Sequence, residues 1–389
     1  MSDDRGFLIR QVEDMKKVLV LCNTALTRDP RPRRQLQLLN KAYEVHAVGK
    51  SPSGDEARFF LFPRTSLIQR TIRYFCLLAG MRRFHGTAAR ERQLVEALAK
   101  EDYNLIIVHH IELLPMALQI GSRAKVMADA HEYYPENFSD QFLWRLIHHR
   151  QYVHLCRRYL PQCDKVLTVS KGIAESYCKH FEVRAEVIDN AVDYVPCRPS
   201  PVDPHNIRLV HHGLPNRSRR LESMIHMMGY LGEPYSLHLV LPRINRWTES
   251  YFQELKHAAR DYGNIRFLEP FEYRDIVWKT NTYDIGVCFL PPTNFNLKHC
   301  LPSKFFQFVQ ARLALAIGPS PEMSGIVRKF DLGVVAEDFS PQSMADAIRS
   351  MSTERIAHFK MQAHKHAQEL SSEKNGARIK EIICGLLGE

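Results

Sequence analysis

At 389 residues the chain is too long for one ordinary hydrophobic core and suits two domains of ~100–200 residues each. A composition that is 45% hydrophobic and 25% charged is globular and excludes a disordered or fibrous chain, and no window approaches the ~20 consecutive apolar residues of a membrane-spanning helix. The net charge of +10 points to an anionic partner: phosphate, nucleic acid or a lipid surface. The beginning of the chain does not read as a signal peptide, because Asp3, Asp4, Glu13 and Asp14 stand where a basic region belongs. Nine cysteines, an odd number without a Cys-x-x-Cys pair, fit reduced thiols in a cytosolic protein and speak against a zinc site.

In chain order, short Val- and Ile-rich runs read as strands at Val18–Cys22, Val45–Gly49, Leu105–Val108, Val126–Ala130, Val166–Val169 and Val187–Ile188. Helical patterns lie between them, among them Arg33–Lys41, Gln93–Lys100 and Leu113–Ile120. Strands too short and too apolar for helices, alternating with helices, predict a parallel, doubly wound α/β sheet. Tyr194 to Asn206 carries four prolines and no periodicity, which is linker chemistry. The rhythm then restarts at Ile207–His211, Leu237–Leu241, Ile265–Phe267, Ile285–Phe289, Ala314–Ile317 and Gly333–Val335. The expected organisation is therefore an extension (1–15), a first Rossmann-like domain (16–195), a linker (196–206) and a second Rossmann-like domain (207–370). A C-terminal helix within 371–389 is expected to pack back across the hinge. Two such domains would face each other across a cleft at the carboxyl ends of their strands, where open α/β sheets bind ligands.

The stretch 67–94 holds Arg70, Arg73, Arg82, Arg83, Arg90 and Arg92 against Glu91 alone, interleaved with apolar residues such as Ile68, Ile72, Phe75 and Phe84. Such a segment suits an interfacial helix on an anionic membrane; an amphipathic helix with solvated arginines remains the alternative. No RNP-type motif, zinc finger or helix-turn-helix signature supports nucleic acid as a partner.

Four strand ends carry chemistry-bearing residues. The first strand opens into Asn23–Arg34, whose Arg28, Arg31, Arg33 and Arg34 form a candidate site for an anionic acceptor. No G-x-G-x-x-G or Walker pattern occurs there. His109, His110 and Glu112 follow one strand, and Asp129, His131, Glu132, Tyr133 and Tyr134 follow the next; such clusters suit hydrogen bonding to a polyhydroxylated ligand or proton transfer. Their histidines lack a recognisable metal-ligand spacing. In the second half, His211-His212-Gly213 runs into Arg217, Arg219 and Arg220 ahead of a helix, an arrangement suited to a diphosphate. Finally, Pro302-Ser303 opens a helix with Ser303 as its cap, Lys304 in the first turn and Gln307 on the same face.

These landmarks together resemble the retaining glycosyltransferases of GT-B fold, family 4 or close to it. They are Asp29–Arg31, His110–Pro115, Asp129–Glu132 with Pro135-Glu136, Val166–Ile173, Val187–Asp193, Arg219–Glu222 and Pro302–Phe308, in order from Lys16 to about Met351. The resemblance implies a nucleotide-sugar donor held by the second domain and an acceptor, glycan or lipid-linked, held by the first. By this likeness Arg219 and Lys304 clamp the donor diphosphate, His131 lies near the transferred sugar, and no metal is required. Retention of anomeric configuration is likewise implied. Two family glutamates correspond here to His299 and Gln307, the usual Ala-Gly-x-Pro turn is Ala311-Arg312-Leu313-Ala314, and Leu214 replaces a second phosphate-binding arginine, for which Arg217 is the substitute. Phe271 and Tyr273 are candidates for contact with the base, and His110 and Glu132 for contact with the acceptor.

The expected function is sugar transfer in surface polysaccharide, capsule or lipopolysaccharide synthesis by a cytoplasmic enzyme peripheral to the inner face of the membrane, without a cofactor. A nucleotide-sugar epimerase of the same fold, or a silent nucleotide-sugar-binding subunit, is the alternative.

Overall fold

The computed structural model describes residues 15–63, 66, 68, 71, 72, 89–121 and 123–389. The chain divides into two compact units, one holding residues up to Ile188 together with Gly376–Glu389, the other Asp189–Asn375.

The first unit is built on a seven-stranded sheet of β1 (Lys17–Leu21), β2 (Glu44–Gly49), β3 (Arg58–Leu61), β4 (Leu105–Val108), β5 (Lys125–Ala130), β6 (Lys165–Thr168) and β7 (Ala185–Val187). Their order is β3-β2-β1-β4-β5-β6-β7, and every pairing is parallel. Central strands such as Leu105–Val108 are buried along their whole length, as a sheet covered on both faces requires. The sequence pattern did not show β3, an edge strand whose four residues, Arg-Phe-Phe-Leu, are exposed at both ends and half-buried between. The first helix runs Pro30–Leu39, three residues earlier than the apolar spacing suggested, because Pro30 at its first position presets a helical φ and needs no hydrogen-bond donor there.

The helix Ser372–Leu387 delivers Ile379, Ile382 and Ile383 into the core of this unit, against Val18, Val20, Val45 and Leu105. Their spacing is that of one helical face. Lys16 closes the contact, donating to the Leu387 carbonyl at 2.9 Å and pairing with Glu389 at 2.8 Å.

The second unit holds β8 (Ile207–His212), β9 (Tyr235–Val240), β10 (Ile265–Leu268), β11 (Ile285–Cys288), β12 (Ala314–Ile317) and β13 (Gly333–Val335), in the order β10-β9-β8-β11-β12-β13 and again parallel throughout. Gly286 lets the helix Ser303–Gln310 lie close on β11: a Cβ there would stand 2.5 Å from the Phe308 ring.

The proline-rich stretch 196–206 belongs to this second unit, so the division falls ahead of the expected linker. Arg312 and Lys360 tie this stretch down. Arg312, fully buried and at φ +60°, donates to the Val195 carbonyl at 2.7 Å, and Lys360 donates to Ser200 at 2.9 Å. In each unit the strand order reverses between two central strands, β1 and β4 or β8 and β11, which opens a crevice beyond their carboxyl ends. Among the described residues no helix is long and apolar enough to cross a membrane.

Ile383→Ala should destabilise the first unit by about 2–5 kcal/mol, the cost of a large-to-small change in a buried site. Urea unfolding of the full chain checks this; an unchanged midpoint would mean that the C-terminal helix is not part of this core.

Candidate functional site

In the second unit β8 leads into Gly213, whose φ of +128° is open to glycine. A Cβ at this position would stand 2.9 Å from Lys304 Nζ and 3.7 Å from Arg219 Nη1, so two cations converge where there is no side chain. Lys304 reaches this point from the first turn of the helix Ser303–Gln310, which Phe305, Phe306 and Phe308 fix in the core. Behind Lys304 lies His211, fully buried. Its Nδ1 donates to the Val287 carbonyl at 2.8 Å, which leaves Nε2 to accept from the Lys304 ammonium at 3.2 Å. Burial keeps His211 neutral, reinforced by the charge of Lys304. Burial, with the neighbouring Arg219, pushes Lys304 down to about 7.

Among the described residues no carboxylate pairs with Lys304 or Arg219. Arg219 donates to the Leu214 carbonyl at 3.2 Å. A buried ammonium beside a half-buried guanidinium, with no anion between them, is costly; an anion there removes that cost and meets the amino end of a helix as well. The adjacent His212 is also buried; its Nε2 has no hydrogen-bond partner among the described residues, and its ring meets Phe308 edge-on at 5.0 Å.

The other expected donor residues are placed variously. Gln307 is buried one turn along the same helix. Ser303 is the first helical residue and not the cap, since Pro302 occupies the capping position and makes no side-chain cap bond. Arg217, the expected substitute for the arginine missing at Leu214, lies in a short 3-10 turn and is paired at the surface with Glu254 over the Tyr251 ring. His299 Nδ1 lies 3.2 Å from Glu322, in the first turn of the helix Pro321–Phe330. A carboxylate is therefore present beside position 299, supplied from a helix in which the sequence reading saw no site residue. Phe271 is half-buried, with Lys279 over its ring at 5.1 Å, and Tyr273 is exposed.

In the first unit β4 ends at His109 and β5 at Ala130, which brings His109, Asp129 and His131 together with Arg31 and Gln35 of the first helix. Arg31 grips Asp129 with two hydrogen bonds of 2.8 Å, Gln35 adds a third at 2.6 Å, and the remaining Arg31 nitrogen donates to the Ile188 carbonyl at 2.8 Å. Although burial favours the neutral acid, the Arg31 charge holds the Asp129 carboxyl well below the usual carboxylate range. Arg31 is consequently a buried structural cation and not part of an exposed anion-binding loop. His109 Nδ1 and His131 Nε2 are 3.0 Å apart, and burial keeps both rings neutral, His109 falling to about 4. A ligand atom from each of His109, Asp129 and His131 lies within 4.8 Å of the others, a spacing that a metal could bridge. The carboxylate oxygens, however, are already engaged by a guanidinium, and a second cation beside it would be repelled.

His110 accepts from the Asn23 N–H at 3.4 Å, and Glu132 is half-buried, its carbonyl accepting from Tyr177 at 2.7 Å. Arg33 is exposed, 3.9 Å from Asp55, and Arg34 is half-buried. The Arg28 side chain, and most of the basic stretch 67–94, lie outside the described residues.

Residues 35–194 match the model of Glycosyltransferase Family 4, and solved glycosyltransferases share the fold over almost the entire chain. The chain has the GT-B fold of these enzymes, and its residues 35–194 are similar to family 4. Among solved structures, Anabaena HepE in complex with UDP and glucose is 14% identical, with 95% of this chain and 99% of that chain covered and a TM-score of 0.70. Sucrose-phosphate synthase from Thermosynechococcus elongatus is 12% identical, with coverage of 96% and 99% and a TM-score of 0.74. A glycosyltransferase from Rickettsia africae is 10% identical, with coverage of 96% and 99% and a TM-score of 0.72. No curated protein matches the chain in sequence.

Sequence reasoning reached Lys304 and Arg219 but gave His211 no role, because a histidine ending an apolar strand looks like any other core residue. His211→Leu should weaken nucleotide-diphosphate binding about 10–100-fold, the worth of a charge-assisted hydrogen bond, while His211→Asn keeps an acceptor and most of the affinity. Equal affinities for the two variants by calorimetry would exclude that role. In the first unit, Asp129→Asn strands a buried guanidinium and should cost about 3–5 kcal/mol in urea unfolding; a change below the error of the measurement would show that the pair is not structural.

Proposed function

We propose that this protein is a glycosyltransferase that moves a sugar from a nucleotide-diphosphate donor to a glycan or lipid-linked acceptor in surface polysaccharide synthesis. The transfer proceeds without a metal and with retention of anomeric configuration. The observation that carries this reading is the uncompensated pair Lys304 and Arg219 over Gly213. Donor diphosphate binds between the two cations, and Gln307, near the same helix start, reaches the ribose. As the sugar–phosphate bond breaks, negative charge builds on the departing phosphate, and the fixed cations stabilise that charge more than they stabilise the bound donor. A metal would supply the same charge, and here the side chains supply it instead.

The first unit carries the acceptor. His131, held by His109 and partly open to solvent, is neutral and able to accept a hydrogen bond from a sugar hydroxyl. Arg33, Arg34, His110 and Glu132 contribute further polar groups from the same unit. The stretch 67–94 holds the chain to an anionic membrane on the cytoplasmic side. UDP in the HepE complexes supports a uridine nucleotide as the first donor to try.

Lys304 provides the test. The free protein holds this amine at about 7, and a bound diphosphate stabilises its charged form. Below that pH the amine is charged before binding; above it, binding must take up a proton. The dissociation constant for UDP should therefore be flat below about pH 7 and rise by up to about tenfold per pH unit above it. Lys304→Met should lose this pH dependence and about 10²–10³-fold in kcat with UDP-sugar donors. It should also melt no lower than the parent, since it removes a buried charge without a partner. Calorimetry across pH, with transfer assays on lipid extracts, reads all three. A variant with undiminished turnover would overturn the assignment.

A further inference from the structure

The helix Phe142–Tyr159 in the first unit contains four arginines, three histidines and no acidic residue in its 18 positions. Its inner face is fixed: Gln151, Leu155 and Cys156 are buried, Trp144 stacks on Tyr152 at 5.7 Å, and Tyr152 stacks on Tyr134 at 5.5 Å. Its outer face is apolar where it starts and basic where it continues. Phe142, Leu143 and Leu146 are 67%, 68% and 57% exposed, and Phe138 in the preceding turn is exposed as well. Phe138 adopts φ +54°, a strained conformation for a bulky side chain, with its ring 6.3 Å from Trp144. Arg145 lies over the Phe142 ring at 6.0 Å, and Arg150, Arg157 and Arg158 are exposed further along. At 1.5 Å and about 100° per residue, Arg150 and Arg157 stand about 12 and 22 Å along the axis from Phe142 and about 80° and 60° around it, on the side of Leu143 and Leu146.

We infer that this face is a docking surface for an anionic lipid bilayer, with Phe138, Phe142, Leu143 and Leu146 entering the interface and the arginines meeting lipid phosphates. Large apolar side chains clustered in water are unfavourable, and arginine at the amino end of a helix opposes its dipole; both features are relieved at a surface that is apolar inside and negative at its edge. A second copy of this chain fits less well, because a two-fold contact through this face sets arginines against arginines. The surface shares no residue with the stretch 67–94 or with the donor residues, and its own variants distinguish it from both; it rests on the proposed membrane role in its choice of partner.

Flotation of the full chain with vesicles of phosphatidylcholine, alone or with about one third phosphatidylglycerol, tests it. The parent should float with the anionic vesicles and be released by high salt. Phe142→Ser/Leu143→Ser should reduce that binding by at least about tenfold, and Arg145→Gln/Arg150→Gln should reduce both binding and its salt dependence. Unchanged melting and UDP affinity in both variants would show that fold and donor site are intact. The inference is overturned if the parent ignores anionic vesicles or if both variants float as well as the parent. It is equally overturned if the parent sediments as a dimer that Phe142→Ser/Leu143→Ser breaks apart.

Discussion

An ammonium group held out of water beside a guanidinium, with no carboxylate among the described residues paired to either, is the constraint from which the chemistry of the second unit follows. Lys304 can sit there because three phenylalanines anchor its helix and because Gly213 leaves room for the amine. It stays pointed there because His211, committed to the Val287 carbonyl, offers only a lone pair. A protein gains nothing in stability from such a group, whose desolvation cost goes unmet until an anion arrives. Burial lowers the proton affinity of Lys304 and of Lys360 alike, so it is the lack of an anionic partner that marks Lys304 as a ligand site. Lys360 in the same unit shows the contrast: equally buried, it is satisfied by Ser200, the Tyr283 carbonyl and Asp284.

The first unit solves a similar problem in the opposite way. Arg31 also lies beyond the end of a central strand, yet Asp129 and the Ile188 carbonyl meet its hydrogen-bonding groups. The ion pair fixes the floor on which His109 and His131 stand, and burial keeps both rings uncharged. A neutral imidazole bonded to another neutral imidazole is suited to a hydroxylated partner, whereas the bare cations of the second unit are suited to phosphate. Two sheets of the same winding thus present different electrostatics through a handful of residues at their strand ends.

Strand placement was legible in the sequence because a parallel strand buried on both faces must be a short apolar run, and helices between such runs leave few topologies. Twelve runs were readable; β3 was not, since an edge strand needs no continuous apolar face. The likeness to family 4, carried by ordered landmarks such as Asp129–Glu132 and Pro302–Phe308, was legible for the same reason that the site is: strand ends and helix starts must carry the polar residues. By contrast, the helix Phe142–Tyr159 gave no clear periodic signal, because aromatic residues occupy both its faces, one stacked inward and one left in water.

The sequence alone therefore determined the α/β class, the two halves and the cationic character of the Arg219 and Lys304 region, all of which depend on residue type and local order. Only the tertiary structure decided which charges are answered. Arg31 and Arg217 found carboxylates at Asp129 and Glu254, while Lys304 found a neutral histidine and His299 gained Glu322. Whether a charge has a partner depends on residues distant along the chain coming within a few ångströms, and no local spacing encodes that distance.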